Sequence, residues 1–420
     1  MTFPVRRALL WLAASYILLL PTTEAKPIRI VLWIAGAVLG LAAIANARRH
    51  REQMEPMPGM AVVGLLAFWM LWSVFSVVWS PRPAFTLEEL RNEVLNNAIL
   101  IAIFYYVAAD ERAIRTLVVA TIGGFALHAV AILAVAPQSG DFDPFRWHYG
   151  VVWVATWLAL TAPFLVLPLF PRPLGWGGGP KAIVVVILLS ALLLSLAVAT
   201  ENRMIWIAFG TEALVLLVFA IRRWPEKAAF WRGRIVTATV IGAAVLLAGF
   251  VWTLNERVPK QATETADVAS TLRKDPRFDL WSRSLQTIAE HPWLGHGFGK
   301  GIAGDEMVRT LRNPLLWHPH NVFLSQWQQT GLVGMAAVIG LFVALGHRMV
   351  RFIRSRDDAV ALTGAIGLAV LLGFLLKNMT DDFLVRGAAK EFWAYTAMLL
   401  GYGVHREHAL ARRDIVASRV

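Results

Sequence analysis

The chain has 420 residues, of which 57% are hydrophobic and only 16% charged. A soluble domain carries about 25% charged residues and about 45–50% apolar ones, so a water-soluble protein is excluded. Formal net charge is +12, but Lys and Arg collect in short connections between apolar runs, as membrane topology requires, which sets aside nucleic acid as a partner. Cysteine is absent, so neither a disulfide framework nor a thiolate metal site is available.

Apolar runs near twenty residues, the length that crosses a hydrocarbon core at about 1.5 Å per residue, predict an all-α integral membrane protein with about twelve spanning helices. They fall near 8–20, 28–45, 60–79, 94–109, 114–136, 149–170, 181–199, 204–221, 235–254, 321–346, 358–376 and 391–404. The first run follows Arg6-Arg7 in the manner of a signal peptide, but with so many spans behind it the reading is an uncleaved first helix. Basic clusters at Arg48-Arg49-Arg51, Arg222-Arg223, Arg348 to Arg356 and Arg406 to Arg413 mark one side of the membrane. The other side holds only scattered cations such as Lys26, Arg82, Arg146 and Lys377. Both termini are therefore expected in the cytoplasm of a bacterial inner-membrane protein.

One outer connection is long, running from about Asn255 to His320 without a spanning segment. Loops of that length inside a compact protein are usually functional. The expected organisation is spans one to nine over 1–254, a large outer loop over 255–320, spans ten to twelve over 321–404, and a cytoplasmic tail over 405–420. Within the loop, Asp275 to Glu290 reads as an amphipathic interfacial helix with Phe278, Trp281, Leu285 and Ile288 on its apolar stripe. Gly295, Gly297, Gly299, Gly301 and Gly304 follow as a flexible, tightly turning stretch that lacks the spacing of a phosphate loop. Many of the Trp residues, among them Trp79, Trp147, Trp252 and Trp317, stand at span ends, as an interfacial belt requires.

The loop closes on Trp317-His318-Pro319-His320-Asn321, which places His320 at the outer mouth of the next span. The helix dipole there disfavours an imidazolium, the setting a general base needs near neutral pH. Ser325, Gln326, Gln328 and Gln329 are too polar for a lipid-facing helix, so one face must meet protein or water. Gly331 and Gly334 suit close helix approach. Other sparse outer charges are Arg82, Arg146, Arg203 in the turn Thr200 to Arg203, and Asp381, Asp382 and Arg386 in the last outer loop. Arginine forks match phosphate oxygens, so a diphosphate is the expected ligand of such a set. Asp141-Phe142-Asp143 and the histidines His291, His296, His318 and His320 are the candidates for a metal site; neither spacing is diagnostic, and no metal or other cofactor is expected.

His320-Asn321, nine residues, then Gly331-Leu332-Val333-Gly334 resembles the signature of O-antigen ligases. Arg277-Phe278-Asp279-Leu280-Trp281 and His291-Pro292-Trp293-Leu294-Gly295-His296-Gly297 resemble a pattern of the wider ligase and polymerase superfamily. The resemblance implies a GT-C-like glycosyltransferase architecture with a large periplasmic loop. It implies transfer of a glycan from undecaprenyl diphosphate to a sugar hydroxyl of lipid A–core, without metal or nucleotide, completing lipopolysaccharide. Carried over, His320 is the essential histidine, Arg203 and Arg277 are the family arginines, and Asp381 or Asp382 is the acidic position. His318, Asn321, Arg82, Arg146 and Arg386 complete the candidate set for the diphosphate and substrate.

Three other readings are similar in part. A protein O-oligosaccharyltransferase uses the same donor, and a lipid-linked glycan polymerase shares the superfamily. A transporter would need ionisable residues along a midplane path, for which Glu212 and His128 are the few candidates.

Overall fold

A computed structural model describes residues 3–49, 56–135, 150–226, 232–261, 276–312 and 316–417. Among these residues every regular element is helical and there is no strand. This is what a bilayer allows, because a helix satisfies its backbone internally. Helices occupy all twelve apolar runs: α1 (Phe3–Leu19), α2 (Lys26–Arg49), α3 (Met60–Phe75), α4 (Pro83–Glu89), α5 (Asn96–Val107), α6 (Glu111–Val135), α7 (Val151–Leu165), α8 (Pro180–Ala199), α9 (Arg203–Arg223), α10 (Arg232–Gln261), α13 (Val322–Ile353), α14 (Asp358–Lys377) and α15 (Arg386–Ala417). The run read at 94–109 begins earlier, as α4 joined to α5 through one π turn, Leu90–Leu95. The long loop contributes α11 (Pro276–Glu290) and α12 (Gly304–Leu311).

Eight of these helices (α2, α3 with its 3-10 extension to Val78, α6 to α9, α13 and α14) are long and apolar enough to cross a membrane by length and composition. Of the others, α1 has 17 residues, α4–α5 is interrupted, α10 is strongly apolar only over Thr239–Thr253, and α15 carries many charges. Burial sorts the spans. In α14, 78% of the spanning window is buried, against 28% in α8 and 17% in α2. So α14 is the central post, packed by α7, α9, α13 and α15, while α2 and α8 turn their apolar faces outward. Around the post, Phe392 stacks on Phe374 with ring centroids 4.2 Å apart and meets Phe342 edge-on at 5.9 Å.

Charges fix the register of α14. Asp357 caps its N-terminus, accepting from the Ala359 and Val360 N–H groups at 3.0 Å each. Arg223, at the end of α9, donates to Asp358 at 2.6 Å. The two helices are therefore antiparallel and of nearly equal length, 21 and 20 residues. Arg203, the first residue of α9, consequently stands at the same end of the bundle as Lys377, the last of α14.

Three expectations change. The helix α10 runs through Gln261, past the expected loop start at Asn255. On α11, Leu280, Ser284, Thr287 and Ile288 are buried, whereas Phe278 and Leu285 are exposed. The face turned to the protein was chosen by what it packs against, namely α13 and α12, rather than by hydrophobicity. The glycine stretch turns tightly, with positive φ at Gly295, Gly297, Gly299 and Gly301, but it is wedged against the bundle rather than loose.

Candidate active site

The site begins with a break in α13. At Gly331 the backbone takes φ 68° and ψ −176°, values that interrupt the helix and that only glycine adopts freely. A Cβ there would lie 2.0 Å from the Trp293 carbonyl oxygen, so the position also requires the absence of a side chain. The interruption releases helix carbonyls, and the loop takes them. His296 N–H donates to Gln328 O and Gly297 N–H to Gln329 O, each at 2.9 Å, while Leu332 N–H donates to Pro292 O at 2.9 Å. Gly295 is obligatory for the same reason, since a Cβ on it would meet Gly331 N at 2.5 Å. Buried polar backbone must be paired, and here two distant segments pair each other.

The polar residues of α13 do meet protein, and all four are buried. Gln326 accepts from Trp69 Nε1 at 3.1 Å, Gln329 accepts from Gly299 N–H at 3.0 Å, and Gln329 donates to Ser325 Oγ at 2.8 Å. Several tryptophans likewise fasten the loop or the broken helix rather than merely lining an interface. Trp79 donates to Leu294 O, Trp72 to Thr330 O, Trp327 to Pro292 O and Trp281 to Pro319 O, all within 2.8–3.0 Å. Trp252, 38% exposed, keeps the character of a belt residue, and Trp147 lies outside the described residues.

These ties deliver the turn 317–321 to the end of α14. Asn321 caps α13, accepting from Phe323 N–H at 2.9 Å and Leu324 N–H at 3.1 Å. Its amide donates to Met379 O at 2.9 Å, and Val322 N–H donates to Asn378 O at 3.0 Å. So Asn321 builds the site, with its oxygen committed to the helix cap. His320 precedes the cap in a left-handed conformation, φ 48°, which few non-glycine residues adopt and for which Asn, Asp and His are the commonest. Its N–H donates to His318 Nδ1 at 3.2 Å, and the two imidazoles lie 3.9 Å apart. His318 is buried, and that burial, reinforced by the nearby Lys300 ammonium, pushes its imidazole far below the ordinary range. It is a buried acceptor, biased toward the neutral form, that holds the His320 backbone in place.

His320 Nδ1 lies 3.7 Å from Asp381 Oδ1. The other Asp381 oxygen is ion-paired with Lys377, whose side chain is wholly buried. Burial works to raise the Asp381 carboxyl; the Lys377 ammonium, His320 and Arg277 outweigh it and leave it below the ordinary carboxylate value. Asp382 is fully buried and faces Lys300 and Ser325, and burial raises its carboxyl instead. The geometry thus separates two adjacent carboxylates that sequence left equivalent, and puts Asp381 beside His320.

Among the remaining candidates, Arg277 opens α11 close enough to act electrostatically on Asp381, and Arg203 occupies the same end of the bundle. Arg82 spends its guanidinium on the loop, donating to Asp305 at 3.0 Å, Gly301 O at 2.7 Å and Ile302 O at 2.6 Å. Arg386 begins α15 with φ 54°; its side chain is exposed while its N–H donates to Glu93 at 2.7 Å. Arg146, Asp141 and Asp143 lie outside the described residues. Among the described residues no three His, Asp or Glu side chains gather as a metal site; His291 and His296 meet as a pair, 5.0 Å apart.

Two functional candidates went unread in the sequence: Lys377, taken as one of the scattered outer cations, and Lys300, passed over inside a glycine stretch. The spacing Lys-x-x-x-Asp at 377–381, one turn beyond a helix end, was the available signal for the first.

Residues 185–339 match the family model described as O-antigen ligase, a stretch that contains Arg203, Arg277, His320 and the Gly331 break. Over 386 residues the chain is 26% identical to the O-antigen ligase of Pseudomonas aeruginosa, covering 87% of this chain and 84% of that protein. The family model and the relative that spans most of the chain both point to the O-antigen ligase family. A shorter likeness, 24% identity over 148 residues, links it to an uncharacterized protein of Haemophilus influenzae, of which it spans 36%. The site above lies within the matched stretch or packs against it. It combines an accessible histidine, a buried acid beside it and arginines at the same end of the bundle.

Proposed function

We propose that this protein is an O-antigen ligase that transfers a glycan from undecaprenyl diphosphate to a sugar hydroxyl of lipid A–core. The observation that carries the reading is the His320–Asp381–Lys377 arrangement at the outer mouth of α13, inside the segment that matches the family. We read all twelve apolar helices as crossings of the bacterial inner membrane in a GT-C-like arrangement. The Arg-rich ends of α9, α13 and α15 then face the cytoplasm and the site faces the periplasm, as the distribution of basic residues supports.

In this reading His320 accepts the proton of the acceptor hydroxyl through Nε2 while Asp381 orients the ring from Nδ1. The acceptor oxygen bonds to the anomeric carbon as the bond from that carbon to the diphosphate breaks. The lipid diphosphate leaves with the bonding pair. Arg203 and Arg277 stabilise the charge that grows on it, with forks that suit paired phosphate oxygens. The linkage to diphosphate already carries the driving force, and these cations take the place of a metal.

The test is purified protein in nanodiscs, given lipid-diphosphate glycan and lipid A–core, with joined product scored by mass shift. Product is expected, and it should persist in EDTA at the same rate. No product, or product only on a Ser/Thr acceptor peptide, sinks the ligase reading; loss in EDTA with recovery in magnesium sinks the metal-free part.

A further inference from the structure

Lys300 is the most heavily constrained cation of the loop. Its ammonium donates to the Asp382 carbonyl at 2.5 Å and lies over the rings of Phe383 at 5.0 Å and Trp317 at 5.4 Å. The glycines on either side leave no latitude. A Cβ on Gly299 would meet Phe85 at 2.6 Å, and one on Gly301 would meet Trp317 at 2.7 Å. The backbone carrying Lys300 is held from two more directions, by Gln329 on Gly299 N–H and by Arg82 on Gly301 O. A long flexible side chain has thus been given a short, rigid mount and a single direction. Burying an ammonium is expensive unless it is paired, so the chain has a reason to put a positive charge there.

We propose that Lys300 is a positioning residue: it holds the 381–382 turn so that Asp381 rather than Asp382 faces His320, and it sets the field in which the two imidazoles work. The proposal rests on His320 being the base of the ligase reading. Two carboxylates adjacent in sequence and both buried repel each other unless each has its own cation. The structure provides one each: Lys377 from α14 pairs with the Asp381 carboxylate, and Lys300 from the loop, bonded to the Asp382 carbonyl, acts on the Asp382 carboxylate through its charge alone. The charged groups around His320 are then Asp381 and Lys377 at the end of α14, Arg277 from α11, and His318, Lys300 and Asp382 from the adjoining turns. Behind Lys300 stand Glu89 and Glu93 from α4 and the π turn, and Arg386 from α15. Burial lowers the Lys300 ammonium while the Asp382 and Asp381 carboxylates work against that shift. Removing the cation leaves Asp382 uncompensated and makes the surroundings of His318 and His320 more negative. A more negative surround favours imidazolium over imidazole, and a base needs the imidazole.

The experiment uses the full chain in nanodiscs with Lys300→Met, Lys300→Arg and the double substitution Lys300→Met/Asp382→Asn. Three quantities are read: transfer rate against pH, thermal midpoint, and the pH dependence of His320 modification by diethyl pyrocarbonate, which reacts with neutral imidazole. For Lys300→Met the acid limb of the rate and the His320 modification midpoint should both rise by about one pH unit, with a roughly tenfold loss of rate at neutral pH and little change in KM. Lys300→Arg keeps the charge and should keep the wild-type limb. The double substitution removes both charges, which should return the limb toward wild type and restore stability if the single one folds poorly. An unmoved limb and modification midpoint in Lys300→Met overturns the proposal. So does a displaced limb in Lys300→Arg equal to that of the Met variant, or a double substitution no closer to wild type than the single one. A shifted modification midpoint in a protein that transfers no glycan leaves Lys300 in place and removes the ligase reading instead.

Discussion

The two ends of the helix bundle both carry networks of opposite charge, and they are built differently. At one end, the inner one in the proposed topology, Arg406 grips Asp357 with two bonds of 2.8 and 2.9 Å and reaches Glu111, Arg348 pairs with Glu407 at 2.6 Å, and Arg223 spans Asp358 and two backbone carbonyls. Every cation there is an arginine with a fork to fill, and most of the acids are partly exposed. At the other end two lysines stand among the arginines: Lys377, wholly buried, pairs with Asp381, the half-buried Lys300 donates to the Asp382 carbonyl, and a histidine shares the Asp381 acid. The inner network uses geometry to fasten helices. The outer one confines charge in a low-dielectric setting, where each charge governs its neighbours' protonation. Ion pairs that merely fasten can be lost at modest cost, and ion pairs that set a field cannot.

The sharpest way to break this contrast is His320→Ala. Transfer should fall by about 100- to 10,000-fold, the range for a lost general base, while detergent stability stays close to wild type. Near-normal turnover would remove His320 from the chemistry and reduce the outer network to another fastening.

Asp381→Asn comes next. It leaves Lys377 buried without its anion, so a destabilisation of about 3–5 kcal/mol is expected together with loss of transfer. Adding Lys377→Met should recover most of the stability and none of the activity, because the acid beside His320 is still missing. If denaturation midpoints and rates recover together, Asp381 serves folding alone.

Arg203→Lys and Arg277→Lys keep charge and discard the fork. Each should lose about ten- to a hundredfold in transfer, equivalent to about 1.5–3 kcal/mol for a charge-assisted bond, with weaker binding of the donor lipid. Lys variants that bind and turn over normally would detach these arginines from the diphosphate.

The smallest effect belongs to the inner end. Asp357→Ala removes a helix cap and an ion pair together, for about 1–2 kcal/mol of stability and an unchanged rate per folded molecule. Burial tends to raise the Asp357 carboxyl, but Arg406 and the cap N–H groups win and hold it below its ordinary value. A depressed carboxyl contributes stability above its unfolded value and loses it as pH falls through the folded one. Thermal midpoints of wild type and Asp357→Ala should therefore converge in acid; a constant gap down to strong acid would show that the ion pair contributes nothing.

Hydropathy made the helices legible, since a twenty-residue apolar run has few alternatives, and the alternation of basic loops gave the expected topology. The polar face of Ser325 to Gln329 was legible for the same reason: lipid cannot receive it. What escaped the sequence depended on long-range pairing. Phe278 and Leu285 looked like the seam of α11 because periodicity reports apolarity, yet Ser284 and Thr287 took the buried face. Gly331 looked like a contact glycine, whereas it interrupts its helix, a role that appears only once Trp293 is placed against it. Asp381 and Asp382 are indistinguishable in one dimension, and Lys300 is a lone basic residue among glycines. The structure separates all three by what stands opposite them.

The exchange of hydrogen bonds at Gly331 also has a meaning for biogenesis. The carbonyls of Gln328 and Gln329 find their partners in His296 and Gly297, residues made some thirty positions earlier. In a nonpolar medium neither segment is comfortable alone, because an unpaired backbone group there costs several kcal/mol. The helix capped by Asn321 therefore gains its full backbone pairing only when the loop is seated, and a misplaced loop would leave those groups unpaired. Completion of the site and completion of the fold are a single event, so a half-assembled enzyme is also a marked one.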